Sequence, residues 1–149
     1  MCKHLTIYFA ILIRICFAQI VNPVTINVNS DSSARAGEVV NIEISVKMDS
    51  QWKIYSIHKK VDGPRPTEII IEGDVISDIG KIVEPDPTEK YDPGFDVTSF
   101  YHKGNTLFSS QILLEDNLVP GDYEISVTTY FQVCNDRLCY PPDEKNNII

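Results

Sequence analysis

The sequence has 149 residues, of which 43% are hydrophobic, with nine prolines and seven glycines. This length suits one domain, and the composition is typical of a loop-rich globular β protein. The formal net charge of −8 argues against nucleic acid or an anionic membrane surface as a partner.

The first residues of the chain have the pattern of an export signal. A short segment with a positive charge at Lys3 precedes an apolar run over residues 5–13, and Ala18 offers a small residue for cleavage. The run is far shorter than the ~20 residues that a membrane-spanning helix needs. We therefore predict an exported protein with a signal peptide at residues 1–18 and one domain at residues 19–149.

Two residues of this leader leave a second interpretation open, an N-terminus kept as an uncleaved or lipidated anchor. Arg14 places a charge at the end of the apolar run, and Cys16 lies close to the cleavage point. Removal of the leader takes away Cys2 and Cys16 and leaves Cys134 and Cys139 as an even pair. Export would allow these two to form a lasting disulfide.

Short strands follow one another along the rest of the chain. Residues 38–48 carry the clearest pattern, because Val40, Ile42 and further apolar residues alternate with polar ones such as Asn41. Similar segments lie at residues 24–28, 52–57, 68–72, 97–101, 106–114 and 123–133, with a mixed stretch at 74–83 and a turn at 103–105. About eight short strands without a long helical period indicate an all-β fold, an antiparallel β-sandwich.

A cysteine hairpin follows the last of these strands. Cys134 and Cys139 are separated by four residues, and Pro141 and Pro142 then end regular pairing. This spacing predicts a tight hairpin with one cysteine at each inner end, close enough for a disulfide. A loop of about six residues stabilises a fold by roughly 2 kcal/mol, against more than 4 kcal/mol for about 80 residues. A disulfide between these cysteines would therefore stabilise the fold only weakly, and its position suits a redox pair. A purely structural disulfide is the alternative.

The alternation of residues 123–133 also predicts the environment of the first cysteine. Val127, Phe131 and Val133 belong to a mostly apolar face, whereas Tyr130 and Cys134 belong to a mostly polar one. The pattern therefore predicts that Cys134 lies where a partner could reach it.

A long loop precedes the strand at residues 97–101. Residues 85–96 contain three prolines and no strand pattern, and loops of this length are often lids or binding segments. An acidic surface loop whose aromatic residues anchor it to the sandwich is the alternative.

Other chemistries have little support in the sequence. His58 and His102 are far apart and lack partners at ligand spacing, so neither a zinc site nor a Cys-His nucleophile is indicated. There is no glycine-rich phosphate loop. We therefore predict no metal, no cofactor and no small-molecule substrate.

Three stretches carry a resemblance to a known family. They are YFQVCNDRLCYPP at residues 130–142, QWKIYS with GPRPTEI at residues 51–56 and 63–69, and KIVEPDPTEKYDPGF at residues 81–95. Together they resemble the N-terminal periplasmic domain of the thiol:disulfide interchange protein DsbD, over about residues 24–142. The resemblance implies an immunoglobulin-like sandwich, a periplasmic location and a protein-disulfide reductase module.

The same resemblance implies roles for the residues around the sulfurs. Cys139 would form a mixed disulfide with a partner, and Cys134 would resolve it. A cap loop with an aromatic residue would shield the pair, and Phe95 is the first candidate for it, Tyr91 the second. Asp92 lies in the same stretch of sequence.

Tyr55 matches a position where the family places a tyrosine near the cysteines. A phenol there could donate a hydrogen bond to a thiolate. An ordinary strand aromatic is the alternative.

The implied partners are thioredoxin-like proteins or domains. One would donate electrons, and exported disulfide isomerases or cytochrome c maturation thioredoxins would accept them. A closing strand and a membrane electron-transfer domain would follow this domain in the family, so the chain is either a fragment or a free-standing module with donors in trans. The rival function is a non-catalytic immunoglobulin-like binding module with a structural hairpin disulfide.

Overall fold

The computed structural model describes residues 22–58 and 63–149, which contain β-strands and no helix. The strands are β1 (Val24–Ser30), β2 (Val39–Met48), β3 (Lys53–Tyr55), β4 (Glu68–Glu72), β5 (Ile76–Ile79), β6 (Thr88–Asp92), β7 (Val97–Lys103), β8 (Asn105–Leu114), β9 (Ser126–Phe131), β10 (Val133–Cys134) and β11 (Asp143–Ile148). The predicted signal peptide at residues 1–18 lies outside the described residues. Within them, no helix is long and apolar enough to cross a membrane.

The strands form three antiparallel sheets that share one core. Their orders are β1-β2-β8-β5, β10-β3-β7-β6 and β11-β9-β4. The core receives Ile44 and Phe108 from the first sheet, Ile54 from the second, and Val127 and Phe131 from the third. This architecture is the immunoglobulin-like β-sandwich that was predicted.

The long β2–β8 pair shows why the alternating pattern predicts the sheet well. Ile42, Ile44 and Val46 have no exposed surface, and the residues between them face outward or are half-buried. Successive side chains of a strand point to opposite faces, so such a pattern suits only one register against the core. β7 and β8 turn at Gly104, whose φ of +69° lies in the left-handed region that glycine adopts readily. The predicted turn at residues 103–105 is confirmed.

Two strands lie where the sequence predicted none. β6 runs within residues 85–96, which were predicted to be a loop, and pairs with β7 from Thr88↔Tyr101 to Asp92↔Val97. β11 follows the two prolines at which pairing was predicted to end, and it pairs with β9. Both are edge strands of mostly exposed side chains, so they lack the apolar alternation by which a strand is recognised.

The predicted strand at residues 123–133 changes sheets near its end. β9 ends at Phe131 and pairs with β4 and β11, whereas β10 begins at Val133 and pairs with β3. The change delivers the first cysteine to the sheet that also contains β3, β7 and β6. Residues of those three strands line a groove together with residues of the cysteine hairpin.

Candidate functional site

The cysteine hairpin has the geometry that its spacing predicted. Cys134 and Cys139 form a disulfide, with their Cα atoms 4.0 Å apart. The Tyr140 amide donates to the Val133 carbonyl over 2.9 Å, which closes the outer end of the hairpin. The two cysteines therefore face each other across a single antiparallel bridge.

The turn between the cysteines is held by Asn135. Its backbone amide donates to the Leu138 carbonyl over 2.9 Å. Its side-chain Oδ1 accepts from the amides of Arg137 (2.8 Å) and Leu138 (3.0 Å). An asparagine side chain that bonds to following amides stabilises a tight turn, so the loop between the sulfurs is well defined.

The two cysteines differ sharply in exposure. Cys134 has 0% of its surface exposed, whereas Cys139 is exposed. The prediction that Cys134 lies on the polar face is wrong, because the change of sheets after Phe131 breaks the alternation and buries Val133 and Cys134 in succession. Solvent therefore reaches Cys139 and not Cys134.

Aromatic rings enclose the buried cysteine. Cys134 packs in a small cluster with Tyr55 of β3 and Tyr101 of β7, and half-buried Phe95 packs against it. The Tyr55 and Phe95 rings meet edge to face with centroids 6.2 Å apart, an arrangement that aromatic pairs prefer. The structure thus brings Phe95 and Tyr55 to the cysteines.

Asp92 ends β6 and shapes the turn that carries Phe95. Its Oδ1 accepts from the Gly94 amide over 3.0 Å, and its carbonyl accepts from the Phe95 amide over 3.2 Å. Its Oδ2 accepts from Lys53 Nζ over 2.9 Å and from the Tyr55 hydroxyl over 3.0 Å. One largely buried carboxylate therefore links the turn to strand β3.

The electrostatics of this network follow from burial and charge. Burial would raise the pKa of Asp92, but the hydrogen bonds from Lys53, Tyr55 and the Gly94 amide, with the Lys53 charge, outweigh it and hold the pKa below its usual value. Burial, with the hydrogen bond to the Asp92 carboxylate and its charge, raises the pKa of Tyr55 well above the ordinary range. Tyr55 therefore stays a hydrogen-bond donor, and in this disulfide form it donates to Asp92.

Tyr91 lies in a different environment from Phe95. It is 55% exposed, and its hydroxyl donates to Asp96 Oδ1 over 2.6 Å. The hydrogen bond to Asp96 is the main cause that raises the pKa of Tyr91. Of the two aromatic residues predicted as caps, Phe95 is the one that packs against the cysteine cluster.

An open groove of about 640 Å³ runs past the hairpin. Its lining includes Cys139 and residues 90–95, with Tyr55 and Tyr101 also contributing. An exposed cysteine thus sits in a concave surface that a partner protein could enter, while the second cysteine lies behind it in the aromatic cluster.

Comparison with known proteins identifies the family. The sequence model of the family described as "Thiol:disulfide interchange protein DsbD, N-terminal" matches residues 21–148. The chain belongs to this family. A search among curated protein sequences finds no match.

Three solved structures are similar to this chain at low sequence identity, and the first of them shares its fold. The N-terminal periplasmic domain of ScsB from Proteus mirabilis has a TM-score of 0.64 at 18% identity, over 86% of this chain and 46% of that one. The chain therefore spans less than half the length of that relative. The reduced DsbD N-terminal domain of Neisseria meningitidis has a TM-score of 0.46 at 16% identity, over 82% of each chain. The complex between the DsbD and PilB N-terminal domains of Neisseria meningitidis has a TM-score of 0.48 at 13% identity, over 84% of this chain and 80% of that one.

Sequence reasoning missed Lys53 and Tyr101 in this DsbD-family domain. Lys53 is the one charged residue of the short strand β3, and nothing in its sequence neighbours indicates that its ammonium meets a carboxylate 39 positions further along. That ammonium also lies 5.0 Å from the Tyr101 ring centroid. The contact between Trp52 and Tyr140 was also missed, although both residues belong to the family motifs. Their rings stack with centroids 4.9 Å apart, which connects the start of β3 to the end of the cysteine hairpin.

The two histidines that appeared unpartnered in sequence share a buried carboxylate. Glu84 lies 2.8 Å from His102 Nε2 and 3.4 Å from His58 Nε2, and it accepts from the Ser56 hydroxyl over 2.6 Å and the Ile57 amide over 3.1 Å. Burial would raise the pKa of Glu84, but its hydrogen bonds outweigh burial and lower it. Within residues 22–58 and 63–149, no group of three His, Cys, Asp or Glu side chains could hold a metal ion. We interpret the cluster as a structural connection.

Proposed function

We propose that this DsbD-family domain is an exported electron-relay module that works by thiol–disulfide exchange. The observation that carries the proposal is the pairing of an exposed Cys139 in an open groove with a fully buried Cys134 directly behind it. A nucleophilic sulfur needs access and a resolving sulfur needs proximity, and this arrangement meets both needs.

The reaction begins with the reduced pair. The Cys139 thiolate attacks one sulfur of an oxidised partner's disulfide, which forms a mixed disulfide and releases the partner's other sulfur as a thiolate. The Cys134 thiolate then attacks Sγ of Cys139 and expels the partner's remaining sulfur as a thiolate. Two electrons have passed to the partner, and the Cys134–Cys139 disulfide of this structure has formed. A reduced thioredoxin-like donor reverses these steps by attacking Cys139 with its own thiolate.

Phe95 serves as the shield of the pair in this proposal, and Asp92 and Tyr55 hold its turn in place. Phe95 packs on the cluster that contains Cys134, and the Asp92 carboxylate ties its turn to β3. A shield of this kind limits attack by adventitious oxidants, because access is one of the factors that set the exchange rate. Tyr91 remains the second candidate, as a residue of the groove wall.

The partners we propose are a thioredoxin-like donor and, as acceptors, exported disulfide isomerases or cytochrome c maturation thioredoxins. Membership of the DsbD N-terminal family supports this choice. We propose residues 1–18 as the export signal, residues 19–149 as the domain and the periplasm as its location. A membrane electron-transfer domain would supply electrons in cis or in trans.

The reduction potential of the purified domain tests the function. Equilibration with glutathione and thioredoxin buffers should give a value between about −120 and −270 mV, the range of proteins that exchange disulfides. A value below about −300 mV is typical of a structural bridge and would support the rival binding module.

Trapping experiments test the assignment of the two sulfurs. A Cys134→Ser variant should accumulate a mixed disulfide with a thioredoxin-fold protein, because the resolving sulfur is missing. The matched Cys139→Ser variant should accumulate none, since its remaining sulfur is buried. Capture by Cys139→Ser alone would reverse the assignment.

A further inference from the structure

The groove beside the cysteine hairpin is lined by more basic than acidic residues, whereas the sequence as a whole is acidic. The whole sequence has 21 acidic and 13 basic residues. Four of those basic residues line this groove, Lys53, Lys90, Lys103 and Arg137, together with only two acidic residues, Asp92 and Asp136. An acidic protein therefore presents a cationic surface at the place where Cys139 is exposed.

The charged residues of this groove differ in whether they form an ion pair. Lys53 and Asp92 form a largely buried ion pair, with side-chain exposures of 12% and 9%, and largely cancel each other. The side chains of Lys90, Lys103 and Arg137 are exposed. Within the described residues, none of these three has a carboxylate within ion-pair distance.

Two of these exposed cations have defined positions. The Lys103 ammonium lies 5.4 Å from the centre of the Tyr101 ring, within the range of a cation–π contact. Arg137 belongs to the turn between the two cysteines, where its amide is bonded to Asn135. Both residues line the groove, Lys103 at the end of β7 and Arg137 two residues before Cys139.

We propose that these three cations, Lys90, Lys103 and Arg137, form the docking rim for a thioredoxin-fold partner that carries carboxylates around its own reactive cysteine. This inference rests on the proposed function and adds the charge of the partner's contact face. Asp136 also lines the groove and offsets one of the three charges, so the rim stays net positive. Over the Debye length of about 8 Å at physiological ionic strength, this local charge dominates over the more distant negative charges of the domain. The rim thus favours the orientation that brings Cys139 close to the reactive sulfur of the partner, as complementary charges do at other interfaces.

Charge reversal with a matched control tests the rim. The double variant Lys90→Glu/Arg137→Glu changes the net charge of the protein by the same amount as Lys81→Glu/Lys145→Glu, whose residues are exposed and lie outside the groove. The probes are oxidised thioredoxin with Asp and Glu around its active site and the same thioredoxin with those residues changed to Lys. The rate of exchange with each reduced domain variant is measured by stopped flow.

We expect the Lys90→Glu/Arg137→Glu variant (the groove variant) to react at least about tenfold more slowly than the wild-type domain with the acidic thioredoxin. With the lysine version of thioredoxin, it should react faster than the wild-type domain. The control variant should behave like the wild type with both. Uncharged hydroxyethyl disulfide should react at similar rates with all variants, which shows that the cysteine pair is intact. A Lys90→Gln/Arg137→Gln variant should give intermediate rates and covers the case in which the Glu variant does not fold.

Two results would overturn the inference in distinguishable ways. Equal rates for the groove and control variants, with exchange still taking place, would remove the role of the rim and leave the relay function standing. No exchange of the wild-type domain with either thioredoxin would overturn the relay function, and the docking rim with it.

Discussion

The hydroxyl group of Tyr55 donates a hydrogen bond of 3.0 Å to the carboxylate of Asp92. Because Tyr55 packs on Cys134 and Asp92 shapes the turn that carries Phe95, this one hydrogen bond connects the cysteine pair to the residue that we propose as its shield. Lys53 completes the connection through its ion pair with the same oxygen atom.

Replacement of Asp92 by Asn should loosen the shield. The variant loses the charge that holds Lys53 and Tyr55, and loss of a largely buried charged hydrogen bond costs about 1–3 kcal/mol. We expect a lower free energy of unfolding in urea and a several-fold faster reduction of the disulfide by dithiothreitol. Asp96→Asn is the matched control, since within residues 22–58 and 63–149 the Asp96 carboxylate accepts a hydrogen bond only from the exposed Tyr91. Equal reduction rates in the two variants would contradict the connection.

Removal of the Phe95 ring should uncover the buried member of the pair, Cys134, against whose cluster the ring packs. Phe95→Ala is expected to raise the rate at which oxygen or dithiothreitol reacts with the cysteines, with little change in their reduction potential. Tyr91→Ala should leave that rate within about twofold of the wild type, because the Tyr91 ring lies outside the cysteine cluster. If Tyr91→Ala gave the larger increase, Tyr91 and not Phe95 would be the shield.

The unequal burial of the two sulfurs predicts unequal alkylation of the reduced domain. Iodoacetamide should modify Cys139 at least about tenfold faster than Cys134, because the first is exposed and the second has no exposed surface. Peptide mass spectrometry after short reaction times measures the ratio. In 8 M urea the difference should disappear, and a ratio near one in the native protein would show that both sulfurs are accessible.

Glu84 should make the free energy of unfolding of the domain depend on pH in the acidic range. Its pKa is lowered in the folded state from an ordinary value of 4.5, so its contribution is fully present above that value and is lost as the pH falls through the folded-state pKa. The free energy of unfolding of the wild type should therefore exceed that of Glu84→Gln at pH 7. The gap should narrow below about pH 4, as measured by urea unfolding. A gap that is constant from pH 7 to pH 3 would show that the charge of Glu84 does not matter.

Alternating hydrophobicity predicted the strands that face the core on one side. In β2 and β8 the buried residues follow each other at a spacing of two, and burial of apolar surface allows only one register. The cysteine hairpin was predictable for a similar local reason: a disulfide across four residues requires a tight turn, and Asn135 supplies its capping oxygen. The family motifs added Phe95 and Tyr55, both of which lie at the sulfurs.

Tertiary structure alone decided the features that depend on a neighbour distant in sequence. β6 and β11 exist because a paired strand satisfies their backbone groups, although their side chains carry almost no apolar signal. Cys134 is buried because the chain changes sheets after Phe131, and an alternation rule assumes that a strand stays in one sheet.

The charges of the site follow the same division. Net charge and the count of lysines are properties of the sequence, and they describe an acidic protein. The fold brings Lys53 to Asp92 and gathers Lys90, Lys103 and Arg137 around Cys139. Coulomb interactions depend on distances in space, so the sequence determined how much charge the protein carries, and only the folded chain decided where that charge acts.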